Sequence, residues 1–554
     1  MTTRELTVVN PDTTPYLRGR YAPVHEETDA GDLPAAGTIP TDLTGLFVRN
    51  GPNPEFPPLG SFSYPFEGDG MVHGVWLDGG RARYRNRWVR TLSLRAEERA
   101  GRALYGGLLT PAFVDPGLLG EPADSGWPFK VDASINVVRH AGRLLALGEG
   151  VQPYRLDDDL ETLGPETFGG ALAAGMCAHP RFDPLTGEMV YFRYDTEPPY
   201  LLWGALAADG TPSRPETAVD GLERCHVVHD FALTRHYAVL VVAPLVLDVG
   251  PLTSGDRPGS DRGGPNSDGP NSDGADRAGA VLSWRPALGT RVALVPRAGG
   301  PVRWVETDAF WVWHIANAYE RTGGYGQPGA EEVRIVLDFP WWSRPGLGIG
   351  SEASASDTLT SLRGSFTRAT IDPAAGSIEL HHLNYMRSEF PRVDSRRTGR
   401  AHRYVTVVAR SADERLARGE HDRLVRHDMD AGLSVSYDTG LSISEAVFAP
   451  RDGAREELDG YYLCFATSLS EPGTTGGADG GPDGGAGCAP SWLLIWDAGD
   501  FPANPVARVR LPRRVPNGLH ASWLPAPGTE RHDRREGDRR TRGRRASDRE
   551  ARAR

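Results

Sequence analysis

The chain has 554 residues, a formal charge of −12, 39% hydrophobic residues and four cysteines. This exceeds the usual single-domain length, but closed or radial β architectures run long without dividing, and the hydrophobic share suffices for a large core. The acidic balance argues against a nucleic-acid partner; Cys177, Cys225, Cys464 and Cys488 show neither CxxC spacing nor scaffold density, which suits a reducing, cytoplasmic compartment.

From the N-terminus, MTTRELTVVNPDTT has no apolar h-region and carries Glu5 early, so no secretory signal is read. Strand signals follow in order: GLFVRN (45–50), HGVWLDGGRARYRNRWVRT (73–91), INVVRHAGRLLAL (135–147), MVYFRYD (189–195), HYAVLVV (236–242), VRIVLDF (333–339), YYLCFATSL (461–469) and SWLLIWDA (491–498). LDGGRA, RHAGRL and DPLTGEM supply Gly-containing hairpin turns between apolar runs. Helical periodicity is scarce. So many antiparallel hairpins in one chain predict an all-β fold, a β-propeller rather than a two-sheet sandwich, although no strict WD or kelch repeat is present.

The longest apolar run, AVLVVAPLVLDV from Ala238, is broken by Pro244 and is shorter than the ~20 residues of a membrane-spanning helix. A soluble or membrane-peripheral protein is expected. Two Gly-rich segments, 255–280 with its tandem GPNSD and 471–490, read as flexible surface loops that lengthen hairpins. Residues 15–526 form one expected body. Residues 527–554 form an expected disordered tail, with eleven arginines against five acids from Arg531 to Arg554.

The chemistry-bearing residues are histidines. There is no GxxxxGK[ST] and no GxGxxG after a strand, and Lys130 is the only lysine. Of fifteen histidines, five sit beside strands among apolar or aromatic neighbours, where an unsatisfied imidazole is costly: His73, His179, His229, His314 and His520. No HExxH pair exists, so ligands to a metal would have to converge from distant parts of the chain. Residue context alone does not separate His229 from His226.

GLFVRNGPNPEF (45–56), FEGDGMVHG (66–74), AHPRFDPLTGEMVYF (178–192), HDFALT (229–234), WHIANAYE (313–320), SEFPRVD (388–394), SEAVFAPRDGAREELDGYYL (444–463) and RVPNGLHASW (514–523) together resemble the carotenoid cleavage oxygenases. That family includes stilbene-cleaving oxygenases and the vertebrate retinoid isomerohydrolase. The resemblance is collinear from Gly45 to Trp523. It implies a seven-bladed β-propeller with an axial metal site, a loop and helical cap over one face, and Fe(II) held by His179, His229, His314 and His520. His73 then has a structural role, and the HDF context selects His229. It further implies that Glu149, Glu389 and Glu445 hold His229, His314 and His520 through their other ring nitrogens, leaving His179 without a carboxylate.

The implied reaction is cleavage of a conjugated carbon–carbon double bond by dioxygen into two carbonyl fragments. Stilbene-cleaving relatives place a lysine just before the glutamate matching Glu149; here that position is Gly148, which favours a carotenoid or apocarotenoid polyene. The alternatives are a stilbene or lignin-derived phenylpropenoid cleaver, retinoid isomerohydrolase chemistry, and a non-catalytic lipid-binding propeller. Many members carry NTNVV where this chain reads SINVV, so Ile135 replaces a threonine near the open metal position. A polyene resides in membrane, so an apolar docking face is expected, with candidates at 108–119, 198–206 and 339–350.

Overall fold

Wherever the sequence sets two apolar runs around a turn pair, the chain reverses. Asn136–His140 and Arg143–Leu147 are joined by Ala141 and Gly142, with φ of +49° and +74°. A two-residue hairpin turn with positive φ at both positions matches the twist of its flanking strands. Gly79 and Gly80, at +53° and +78°, do the same between Met71–Asp78 and Arg81–Trp88. The protein is described here by a computed structural model covering residues 6–63, 66–112, 114–119, 129–248, 282–322, 333–346, 362–470 and 489–526.

The architecture is nearly all β. Four antiparallel four-stranded sheets follow in chain order. The first holds Asn136–His140, Arg143–Leu147, Tyr154–Leu156 and Thr162–Pro165; the second Arg181–Phe182, Met189–Tyr194, Leu201–Leu206 and Pro212–Ala218. The third holds Phe231–Leu233, Tyr237–Val242, Thr290–Pro296 and Arg303–Thr307; the fourth Asn317–Thr322, Val333–Trp342, Gly364–Asp372 and Ser377–His382. A nine-stranded sheet runs from Ser388–Arg392 to Ala507–Arg510 and takes in Ala35–Gly37. In a five-stranded sheet, Gly45–Arg49 pairs with Ala521–Pro525, Gly45 opposite Pro525, so an early strand and the last described strand share one sheet.

The sheets pack face to face through apolar side chains. One core cluster joins Leu145 of the first sheet, Phe192 and Trp203 of the second, and Phe231 and Leu240 of the third. Phe192 and Phe231 meet edge to face with ring centres 5.4 Å apart. Truncating a buried phenylalanine of this kind costs about 3–5 kcal/mol.

The Gly-rich segments 255–280 and 471–488, and the tail 527–554, lie outside the described residues. Their flanks do pair: Leu245–Leu247 with Leu282–Trp284, and Gly460–Ser468 with Ser491–Asp497. The expected docking segments fare unequally. Residues 198–206 are no surface patch: Leu201, Trp203 and Leu206 are buried because Leu201–Leu206 is an interior strand. Phe339 and Trp342 are buried likewise, whereas Leu109 and Leu118 are exposed. No helix among the described residues is long and apolar enough to cross a membrane.

Candidate metal centre

Four segments that lead into strands each carry a histidine. His179 stands two residues before Arg181–Phe182, His229 two before Phe231–Leu233, His314 three before Asn317–Thr322, and His520 immediately before Ala521–Pro525. Pro180 restricts His179 to extended backbone and so fixes the direction of its ring. One ring nitrogen from each of the four lies within 4.8 Å of the other three. His229 Nε2 is 3.2 Å from His179 Nε2 and 3.3 Å from His314 Nε2.

The segments are fastened together by a part-buried ion pair. Asp230 accepts from Arg181 Nη2 at 2.6 Å and from the Ile315 backbone N–H at 2.8 Å. Arg181 in turn donates to the carbonyls of Phe231 and Ile315. One Arg–Asp pair therefore locks the backbone beside His179, His229 and His314.

Three rings are held from behind. Nδ1 of His229 donates to Glu149 Oε2 at 2.6 Å, that of His314 to Glu389 Oε2 at 2.7 Å, and that of His520 to Glu445 Oε1 at 3.2 Å. A carboxylate only accepts, so the proton sits on Nδ1 and each Nε2 presents a lone pair to the centre. Among the described residues no carboxylate pairs with His179.

Each glutamate has its own anchor. Tyr194 Oη donates to Glu149 Oε1 at 2.5 Å. Trp342 Nε1 donates to Glu389 Oε1. Arg392 grips Glu445 with Nε at 2.7 Å and Nη2 at 2.9 Å, and the Ala521 N–H adds a bond of 2.7 Å. Arg181, Asp230 and Arg392 lie inside AHPRFDP, HDFALT and SEFPRVD, where a charge among apolar residues is a usable signal; Tyr194 and Trp342 carried none.

The electrostatics favour the neutral form of His179 and His314. Burial, then the facing His520, His229 and His314 rings, hold the His179 imidazole well below its ordinary range. Burial and the rings of His520 and His229 do the same to His314. For His229 burial also pushes down, but the ion pair with Glu149 outweighs it and the net shift is upward. Burial pushes the Glu389 carboxyl up to about 7. Burial opposes ionisation of Glu445 too, yet Arg392 and then His520 hold it well below the usual carboxylate range.

Aromatic rings border the centre. Trp313 meets His229 edge-on at 5.2 Å and Phe66 at 5.9 Å, and Phe390 stacks on His314 at 5.3 Å. Ile135 lies against the His520 segment, its carbonyl accepting from the His520 N–H at 3.1 Å. His73 is elsewhere, bonded to Tyr84 Oη at 2.8 Å, and His226 Nδ1 is taken by the Ala243 carbonyl at 3.0 Å.

Three imidazole lone pairs, those of His229, His314 and His520, converge beside the His179 Nε2, and the single proton that His179 could carry there is too few to satisfy them all. A cation would satisfy them, and the all-imidazole set suits a first-row transition metal. The molecule thus falls in the class of β-sheet proteins with a buried histidine set fitted to a metal ion. The family model described as RPE65, retinal pigment epithelial membrane protein, matches residues 21–525, and the chain belongs to that family. It is 33% identical to the carotenoid cleavage oxygenase of Mycobacterium tuberculosis, over 92% of this chain and 97% of the relative. Its fold resembles the crystal structure of Pseudomonas brassicacearum lignostilbene dioxygenase with a TM-score of 0.77 at 28% identity, covering 93% of this chain and 99% of the other. It also resembles cobalt-substituted Synechocystis ACO, with a TM-score of 0.71 at 28% identity over 93% and 99%.

Proposed function

We infer that the protein is a non-haem Fe(II) dioxygenase that cleaves a conjugated C=C bond of a carotenoid or apocarotenoid with O2, giving two carbonyl products. The observation that carries this is the ring of four histidines, three of them backed by glutamates, in a member of a family that includes a carotenoid cleavage oxygenase. In this reading residues 15–526 form a seven-bladed propeller: four blades are the separate meanders, two make up the nine-stranded sheet, and one is the five-stranded sheet that joins Gly45–Arg49 to Ala521–Pro525.

His179, His229, His314 and His520 would hold the ion, and Glu149, Glu389 and Glu445 would fix the tautomers of the last three. Fe(II), when held there, would supply the redox chemistry that activates O2 toward the alkene. The protein's part is placement. Four neutral imidazoles leave the ion its full charge, while Trp313, Phe66 and Phe390 offer apolar faces that seat a polyene and exclude water. Exposed Leu109 and Leu118 are the side chains with which the protein would touch a membrane holding that substrate.

The polyene reading rests further on Gly148. A Cβ there would stand 2.0 Å from the Asp132 carbonyl oxygen, so the phenol-binding lysine of stilbene cleavers has no room at this position without backbone movement. Lys130 offers no substitute, since its ammonium is held 2.5 Å from both Asp69 and Glu97. A stilbene-cleaving reading is the second, favoured by the higher TM-score to the lignostilbene enzyme. Incubating iron-loaded protein with 18O-labelled O2 and either an apocarotenal or a phenolic stilbene decides between them. Labelled aldehydes from the apocarotenal alone are expected; products from the stilbene alone overturn the polyene assignment.

A further inference from the structure

The three glutamates behind the histidines are not electrically equivalent. Glu149 and Glu389 receive neutral donors, the Tyr194 hydroxyl and the Trp342 indole. Glu445 alone is met by a full positive charge, the two-pronged Arg392 guanidinium. Arg392 competes with His520 for the same Oε1 atom, and the His520 bond is accordingly longer, 3.2 Å against 2.6 and 2.7 Å. The Asp230 carboxylate beside the ring is likewise cancelled by Arg181 at 2.6 Å.

A cation at the ring would favour the ionised form of each of the four carboxyls. Among the described residues that bear directly on it, four carboxylates then face two guanidiniums, leaving two negative charges. That balances a divalent ion and leaves a trivalent one with an uncompensated charge in a buried setting, where screening is weak.

We propose that Arg392 is a positioning residue that, by neutralising Glu445, sets the charge of the ring at that of a divalent ion and so holds bound iron as Fe(II). The inference rests on the reading of the ring as an iron site. Only the charge of Arg392 is at issue, not a contact with substrate. Its side chain is 32% exposed and that of Glu445 2%, so water moderates part of the effect, and a shift of about tenfold is expected rather than several orders of magnitude.

The test is an anaerobic redox titration of the iron-loaded full-length protein, with mediator dyes supplying or removing the single electron and the Fe(III) resonance as readout. Arg392→Met should favour Fe(III) by about tenfold, a fall in potential of about 59 mV for one electron. Glu445→Gln should move it by a similar factor the other way, Arg392→Lys should stay near wild type, and the double variant Arg392→Met/Glu445→Gln should return toward wild type. Should Arg392→Met fail to fold with its buried carboxylate unpaired, Glu445→Gln and the double variant carry the test. Potentials that stay together across the set, or that shift in one direction for both single variants, overturn the proposal while leaving the iron site standing. A wild-type protein that takes up no iron overturns both.

Discussion

His402 is buried and His314 largely so, and both stand beside a carboxylate, yet their second nitrogens face different groups. His402 Nε2 lies 3.0 Å from Asp338, itself clasped by Arg368 at 2.8 Å through both carboxylate oxygens, and its Nδ1 accepts from Asn317 at 3.1 Å. Its Nδ1 is hydrogen-bonded, and its Nε2, which makes no hydrogen bond, lies at ion-pair distance from a carboxylate rather than facing other imidazoles. His314 spends Nδ1 on Glu389, and its Nε2 faces the other imidazoles. An unsatisfied buried polar group costs about 1–3 kcal/mol, so crowding the acceptor nitrogens of His229, His314 and His520 in one place is a standing cost that a cation would remove. A carboxylate behind a histidine therefore does not mark a ligand; an unspent nitrogen aimed at others does.

The strongest way to break this comparison is to truncate one histidine of each kind. His314→Ala is expected to empty the site and abolish turnover, read by elemental analysis of the purified protein, whereas His402→Ala should keep its metal and lose only stability. Loss of metal from both variants would erase the distinction.

Acid probes the structural side. Burial lowers the imidazole of His427, which stacks on Phe366 near the Asp338 cluster, to about 4. The unfolded chain binds that proton below about pH 6.5. The stability linked to His427 is thus complete above about pH 6.5 and is lost as pH falls toward 4, by up to roughly 3 kcal/mol. Denaturant titrations at pH 7 and pH 4.5 should show the loss, and His427→Leu should reduce it with metal content unchanged.

On the ligand side, Glu149→Gln should weaken metal binding roughly 10- to 100-fold without unfolding the protein. Tyr194→Phe, which removes only the hydroxyl that steadies Glu149, should weaken it less than tenfold in the same competition titration. Smallest of all, His226→Ala should leave metal content unchanged, since its ring is already bonded to the Ala243 carbonyl; a loss equal to that of His229→Ala would mean the wrong one of two nearby histidines has been named.

Much of the fold could be read from local pattern, because hairpins are local. The run from Ile135 to Leu147 carries its strands, turn and positive-φ positions within a few residues. The docking segment at 198–206 misled for a related reason: an apolar strand buried on both faces has the composition of an exposed apolar loop, and only its neighbours tell them apart. The histidines were identifiable as a set through motif context, not through spacing. What anchors their glutamates was not identifiable: Tyr194 lies 45 residues from Glu149, Trp342 lies 47 from Glu389 and Arg392 lies 53 from Glu445. Such pairs depend on which sheets become neighbours, a property no single segment holds.

The pairing of Gly45–Arg49 with Ala521–Pro525 places one histidine of the four immediately before the last strand described. During synthesis His179, His229 and His314 leave the ribosome long before His520 does. A nascent chain therefore displays an incomplete donor set until its C-terminal strand docks beside one of its first. On the proposed assignment, a complete donor set needs a chain that extends through residue 525, and a chain cut short before His520 would lack one of the four donors.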